Sequence, residues 1–286
     1  MAPIAWNWNP AVLLGLVFTV GAYLAAAQRF GARGRQVLPF LVGVALVFFA
    51  LSSPLSRAAN LYLLSLHLAQ QTLMQVVAAP LLVVGLPHGA LAALRRHPAG
   101  ARLMGWSWSA IPAAILYNAV LALWHVPSPD AGPGLACAIG PELALRRPWV
   151  ARVQDLLPPG AGDWQDLLPL GAGILFWGAM LLPEPFTGDS RGVRLAVLGG
   201  SWVFNWLLGL VHPAAGPALY SYSDAARLLG LGPVIEQVLR VGAVWQHATM
   251  LNGLALVAAL VWEFLGELLH APGGSGLQAA REAGLR

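Results

Sequence analysis

LYLLSLHLAQQTLMQVVAAPLLVVGL, residues 61 to 86, contains no Asp, Glu, Lys or Arg. At 1.5 Å rise per residue, a helix of this length exceeds the roughly 30 Å hydrocarbon core of a bilayer. The run therefore reads as a membrane span, and a histidine within it calls for an explanation. A ligating or ionisable group at membrane depth is costly and usually faces a partner or a cavity. From His67 a step of four reaches Gln71 and a step of seven reaches Met74, so the three share one helical stripe.

The rest of the chain has the same solvent in view. Hydrophobic residues make up 58%, charged residues only 10%, mean hydropathy is +0.67, and there are twelve Trp. That composition excludes an ordinary soluble domain. Apolar stretches near residues 10 to 27, 37 to 53, 61 to 86, 109 to 126, 166 to 183, 193 to 212 and 241 to 266 are each long enough to span. The expected fold is an all-α polytopic helix bundle of about seven transmembrane helices. It forms a single domain over residues 1 to 268, with no internal repeat. The Pro- and Gly-rich stretch 127 to 163 reads as a long, irregular outer loop, and 269 to 286 as a disordered cytoplasmic tail.

All sixteen basic residues are arginine. Arg29, Arg33 and Arg35 mark the first connection, and Arg95, Arg96 and Arg102 the third, whereas the second carries only Arg57. By the positive-inside rule the odd connections are cytoplasmic, the N-terminus is outside and the C-terminus is cytoplasmic. Arg191, Arg194, Arg281 and Arg286 agree, while Arg146, Arg147 and Arg152 sit in a long loop of the kind that counts little in this rule. No basic residue precedes the first apolar stretch and three arginines follow it, so it reads as a retained anchor. The pI of about 9.8 needs no nucleic-acid partner, because arginine at cytoplasmic helix ends also meets anionic lipid. The single cysteine, Cys137, makes no internal disulfide and no CxxC metal pair.

If alternate spans run in opposite directions, His67, His125, His212 and His247 all fall near the outer face, on four different segments. Imidazole joined by thioether suits Cu(I), and Met74 is the candidate sulfur beside His67. His247 and Met250 repeat the pairing at a step of three. Bland explanations stand beside each. A methionine on an apolar helix is usually packing. Trp124 beside His125 and Trp245 near His247 resemble an interfacial aromatic belt, and His212 precedes the helix-stopping Pro213. His67, the deepest, is hardest to assign to decoration. His88, His97 and His270 fall on the inner side, where a histidine is ordinary.

Acid-base groups at depth are few: Asp166, Glu236, Glu263 and Glu267. With no Ser-His-Asp order, phosphate loop or HExxH helix, no enzyme is expected.

The order of motifs resembles the family of CtaG-type cytochrome c oxidase assembly proteins. The matching features begin with LSSPLSRAANLYLLSLHLAQQTLMQVVAAPLLVVGLP from Leu51 to Pro87. Trp124-His125-x-Pro127, Phe176-Trp177, His212-Pro213, Tyr220 and Pro233-x-x-Glu236-Gln237 to Trp245 follow in the same order. The resemblance implies a multi-pass protein of the bacterial inner membrane, needed to mature a haem-copper oxidase by handling copper at the outer face. Its implied partners are the oxidase subunits and a periplasmic copper chaperone. The chain departs from the family pattern at Gln71, where a second histidine is usual, and at Asp163 and Asp166, where a histidine pair is usual. Two other classes stay open. One is an accessory subunit without metal, held to an oxidase by close helix packing at Gly171-Ala172-Gly173 or Gly199-Gly200-Ser201. The other, a haem carrier using His67 with His212 or His247, is least favoured because no haem attachment motif is present.

Overall fold

The computed structural model describes residues 6–32, 34–54, 56, 64–125, 164–214, 249, 253–255 and 257–258. The described elements are helical, and no strand occurs among them. They are α1 (Pro10–Phe30), α2 (Gly34–Ser52), α3 (Leu64–Thr72), a π-helical turn at Leu73–Ala78 and α4 (Ala79–Val84). Then come α5 (His88–Arg96), α6 (Pro98–Ser107), α7 (Ala110–His125), α8 (Trp164–Leu181), the short α9 (Glu184–Thr187) and α10 (Arg191–Ala214). Helices thus occupy six of the seven apolar stretches expected from sequence. Most of the seventh, 241–266, lies outside the described residues, as do the loop 127–163, Cys137 and the tail 269–286.

Three helices are long and apolar enough to cross a membrane: α1, α2 and Arg191–Leu210 within α10. A fourth is counted if Leu68–Val84 and His88–Arg96, bent by 81° at their junction, make one span. The remaining two, in α7 and α8, are shorter apolar helices. Among the described residues the helices thus supply three candidate spans, or four with the bent pair, toward the expected count of about seven. The bend has a local cause: Pro87 is extended, with φ −66° and ψ 115°, and begins α5 with a new axis.

Helix ends follow from their residues. The Asn9 side chain accepts from Ala11 N at 2.9 Å, Pro10 takes the first helical position, and Gly31 closes α1 in the left-handed region at φ 68°. Apolar side chains face outward along mid-helix, with Phe18 76%, Val17 70% and Ile115 65% exposed. In water such a surface would be a liability; in lipid it is the expected exterior.

Contacts fix the direction of each helix. Tyr23 Oη donates to Gly85 O at 2.9 Å and Gln36 Nε2 to Leu86 O at 2.9 Å, so the end of α1, the start of α2 and the end of α4 meet. Asp189, just before α10, accepts from Ala110 N at the start of α7 at 2.6 Å. Arg194 in the first turn of α10 donates through Nη1 to Leu182 O at 2.8 Å, at the end of α8. A cleft between Val83, Met180 and Arg191 joins these two groups. α1, α3 with α4, and α8 thus run toward one end, and α2, α7 and α10 run away from it. The described arginines, Arg29, Arg35, Arg95, Arg96, Arg102, Arg191 and Arg194, all lie at that end or on α5 and α6 beside it.

Candidate functional site

The site is built around the helix that carries His67. Pro80 has no N–H, and its ring would crowd the Val76 carbonyl in a regular α-helix. The chain responds by widening just before it: residues 73–78 take a π-helical turn, and the Ala79 N–H reaches back to Met74 O. That shift releases the Gln75 carbonyl. In an α-ladder its donor would be Ala79 N–H, and in a π-ladder it would be residue 80, which is proline. Trp177 of α8 supplies the missing donor, with Nε1 2.8 Å from Gln75 O. In a bilayer interior a bare carbonyl has no water to turn to, so this bond locks α8 onto the π-turn. Gly173 makes the approach feasible, since a Cβ there would stand 3.2 Å from both Gln75 O and the Ala79 side chain.

The Trp177→Phe variant keeps an aromatic side chain, though a smaller one, and removes the donor. It should lower stability by about 1 to 2 kcal/mol, read as an earlier unfolding midpoint in mixed detergent micelles. An unchanged midpoint would show that Gln75 O finds another donor.

The same layer continues into α7 and α10. Phe176 stacks on Tyr117 at 4.5 Å, and the neighbouring Asn118 donates from Nδ2 to Ser201 Oγ at 2.9 Å. Asn205 Nδ2 donates to Asn118 Oδ1 at 3.3 Å and to its own helix at Ser201 O, 2.7 Å away. Buried amides and hydroxyls thus bond to one another across α7 and α10, as intramembrane polar groups must. Gln70, Gln71 and Gln75 are buried on the α3 side, so the interior is amide-rich and carries no described charge.

From this layer the histidine positions can be read as register. His125 stands seven residues beyond Asn118, and His212 seven beyond Asn205. Seven residues are two helical turns less about 20°, a rise of about 10.5 Å. Because α7 and α10 run the same way, both positions continue the stripes that begin at the bonded asparagine pair. His67 stands eight residues before Gln75, about 12 Å toward the same end. Three histidine positions on three helices therefore occupy the end away from the arginines, at comparable distances from one contact layer. Their side chains lie outside the described residues, and His247 and Met250 lie outside entirely, as does Asp163. Asp166 is placed in α8 by its backbone.

Met74 is fully buried, at 0% exposure, and belongs to the main apolar core. Gln71, one turn after His67, is 2% exposed. Among the described residues no group of three His, Cys, Asp or Glu side chains stands close enough to hold a metal ion.

Sequence reading missed the amide layer and the Trp177 bond. Asn118 and Asn205 were visible as lone polar residues in apolar helices, a signal for interhelical bonding, but 87 positions separate them. His88, read as an ordinary inner-side residue, lines the cleft at the arginine end.

No curated protein and no solved structure shows a significant match to this chain. A family model does match, and it ends before α8 and α10, so His212 and the Trp177 lock lie beyond it. Over residues 21–129, which carry α2 to α7 with His67, Met74 and His125, the chain is similar to the cytochrome c oxidase caa3 assembly factor family.

Proposed function

We propose that this protein is an inner-membrane assembly factor for a haem-copper cytochrome c oxidase, handling Cu(I) at the outer membrane face. The observation that supports the reading best is the common register of His67, His125 and His212 at the end opposite the arginines. Arginine gathers at cytoplasmic helix ends, so that opposite end is the outer one. His67 is the central ligand, with His125, His212 and His247 around it. Met74 contributes sulfur only if the ion enters the buried core, and otherwise it is packing.

A carrier has to release its cargo. A site with Gln71 in place of a further imidazole binds copper more weakly than the final oxidase centre, which favours transfer. The chain has no catalytic step of its own in this reading. The donor would be a periplasmic copper chaperone and the acceptor an oxidase subunit.

The family match alone also accommodates an accessory subunit that holds an oxidase together without metal. Gentle purification from the native membrane separates the two, reading metal content, visible absorption and co-purifying chains together. Copper without a Soret band supports the carrier. Stoichiometric oxidase subunits with no copper on this chain would replace it by the accessory reading, and a Soret band would replace both by a haem carrier.

A further inference from the structure

At the arginine end, α4, α8 and α10 leave a cleft of about 550 Å³ between them. Its lining combines apolar Val84, Leu181, Leu182, Pro183 and Leu195 with His88, Arg191 and Arg194. Val84 and Leu181 are nearly half exposed, at 47% and 44%, so the apolar wall continues onto the outer surface of the bundle.

The two arginines differ in their attachment. Arg194 is fixed by Nη1 to the carbonyls of Leu182 at 2.8 Å and Met180 at 3.4 Å, which flank the C-terminal residue of α8. Its other N–H groups meet no acceptor among the described residues, and Arg191 is exposed and pairs with no described carboxylate. The His88 ring lies 6.0 Å from that of Phe186.

Two arginines in the lining of a slot whose apolar residues are partly exposed match one chemistry: a phosphodiester with acyl chains attached. We infer that this cleft is a binding site for one anionic phospholipid. The headgroup phosphate lies between Arg191 and Arg194, and an acyl chain runs along Val84 and Leu181. A soluble anion would use the arginines but leave the apolar wall without purpose. A zwitterionic phospholipid carries the same phosphodiester, but its own ammonium offsets that charge and leaves the two guanidiniums without a net counter-charge.

The test uses the full chain in neutral detergent, with native mass spectrometry in micelles doped equally with phosphatidylglycerol and phosphatidylcholine. One phosphatidylglycerol per chain should be retained in preference to phosphatidylcholine. Arg191→Glu should weaken that retention about tenfold or more, while Arg29→Glu, at the same end but outside the cleft, should not. Leu195 also lines the cleft, so Leu195→Trp fills it without changing charge and should also expel the lipid, and the inference is still decided if Arg191→Glu fails to accumulate. Equal retention of the two lipids would overturn it, as would retention by Leu195→Trp. Displacement of phosphatidylglycerol by millimolar inorganic phosphate would assign the cleft to a soluble anion instead.

Discussion

Alanine at Gly85 is expected to cost the bundle about 3 kcal/mol or more, at the upper end of overpacking effects. A Cβ at this position would stand 2.5 Å from Phe40 Cβ, 2.7 Å from Phe40 N and 2.8 Å from Gln36 O. Two of those three atoms are backbone of α2, so no side-chain rotation relieves the clash. α2 and the end of α4 would have to separate. Doing so would strain the Tyr23 bond to Gly85 O and the Gln36 bond to Leu86 O, the two contacts that hold three helix ends together. Stacking of Tyr23 on Phe40 at 3.7 Å would loosen with them. Unfolding in mixed micelles of rising sodium dodecyl sulfate fraction reads the effect as an early midpoint. Gly15→Ala is the control, because nothing lies within 4 Å of a Cβ there, and it should be neutral. Equal midpoints for the two variants would contradict the close contact between α2 and α4.

Removing the His67 imidazole is expected to lower Cu(I) affinity on the order of tenfold or more, since even lost outer-shell contacts cost metal sites that much. Membrane levels of the His67→Ala protein should stay normal. Among the described residues, Met74 and Ala78 of the π-turn and Ala79, Leu82 and Val83 of α4 belong to the main core with residues of α2 and α8. The oxidase it serves should then mature with less copper. Gln71→His tests the same stripe in the opposite direction. Gln71 is buried one turn from His67, so an imidazole there would add a ligand in a dry setting and should tighten Cu(I) binding. An oxidase with full copper content beside His67→Ala would remove His67 from the proposed role, and an unaltered affinity in Gln71→His would remove the stripe.

Much of the scaffold was legible because its causes are local. Apolar runs placed six helices, and the described arginines cluster at one end of them, as the arginine-rich first and third connections led one to expect. The π-turn was not legible. It needs Pro80 to deny a donor to Gln75 O and Trp177, 102 positions away, to provide one. An apolar pattern looks the same through either kind of turn. The 81° bend between Leu68–Val84 and His88–Arg96 was not legible either, because hydropathy does not register a change of helix axis.

The shared end of the His67, His125 and His212 backbone positions was legible, since alternation of helix direction follows from connectivity alone; His247 lies outside the described residues. What sequence could not supply was lateral placement. That comes from Asn118, Ser201 and Asn205, which tie α7 to α10 in parallel register and so set His125 and His212 on corresponding turns. The cleft at the other end was invisible for the same reason. His88, Leu181 and Arg191 come from three separate segments, and only packing brings them to one cleft.

X-ray absorption at the copper edge, on the full chain loaded with Cu(I) in lipid nanodiscs, addresses the central claim most directly. The account predicts one tightly held Cu(I) per chain with nitrogen scatterers from imidazole, diminished in His67→Ala and in His125→Ala or His212→Ala. Copper bound no more tightly by the natural chain than by a variant lacking all three histidines would contradict it.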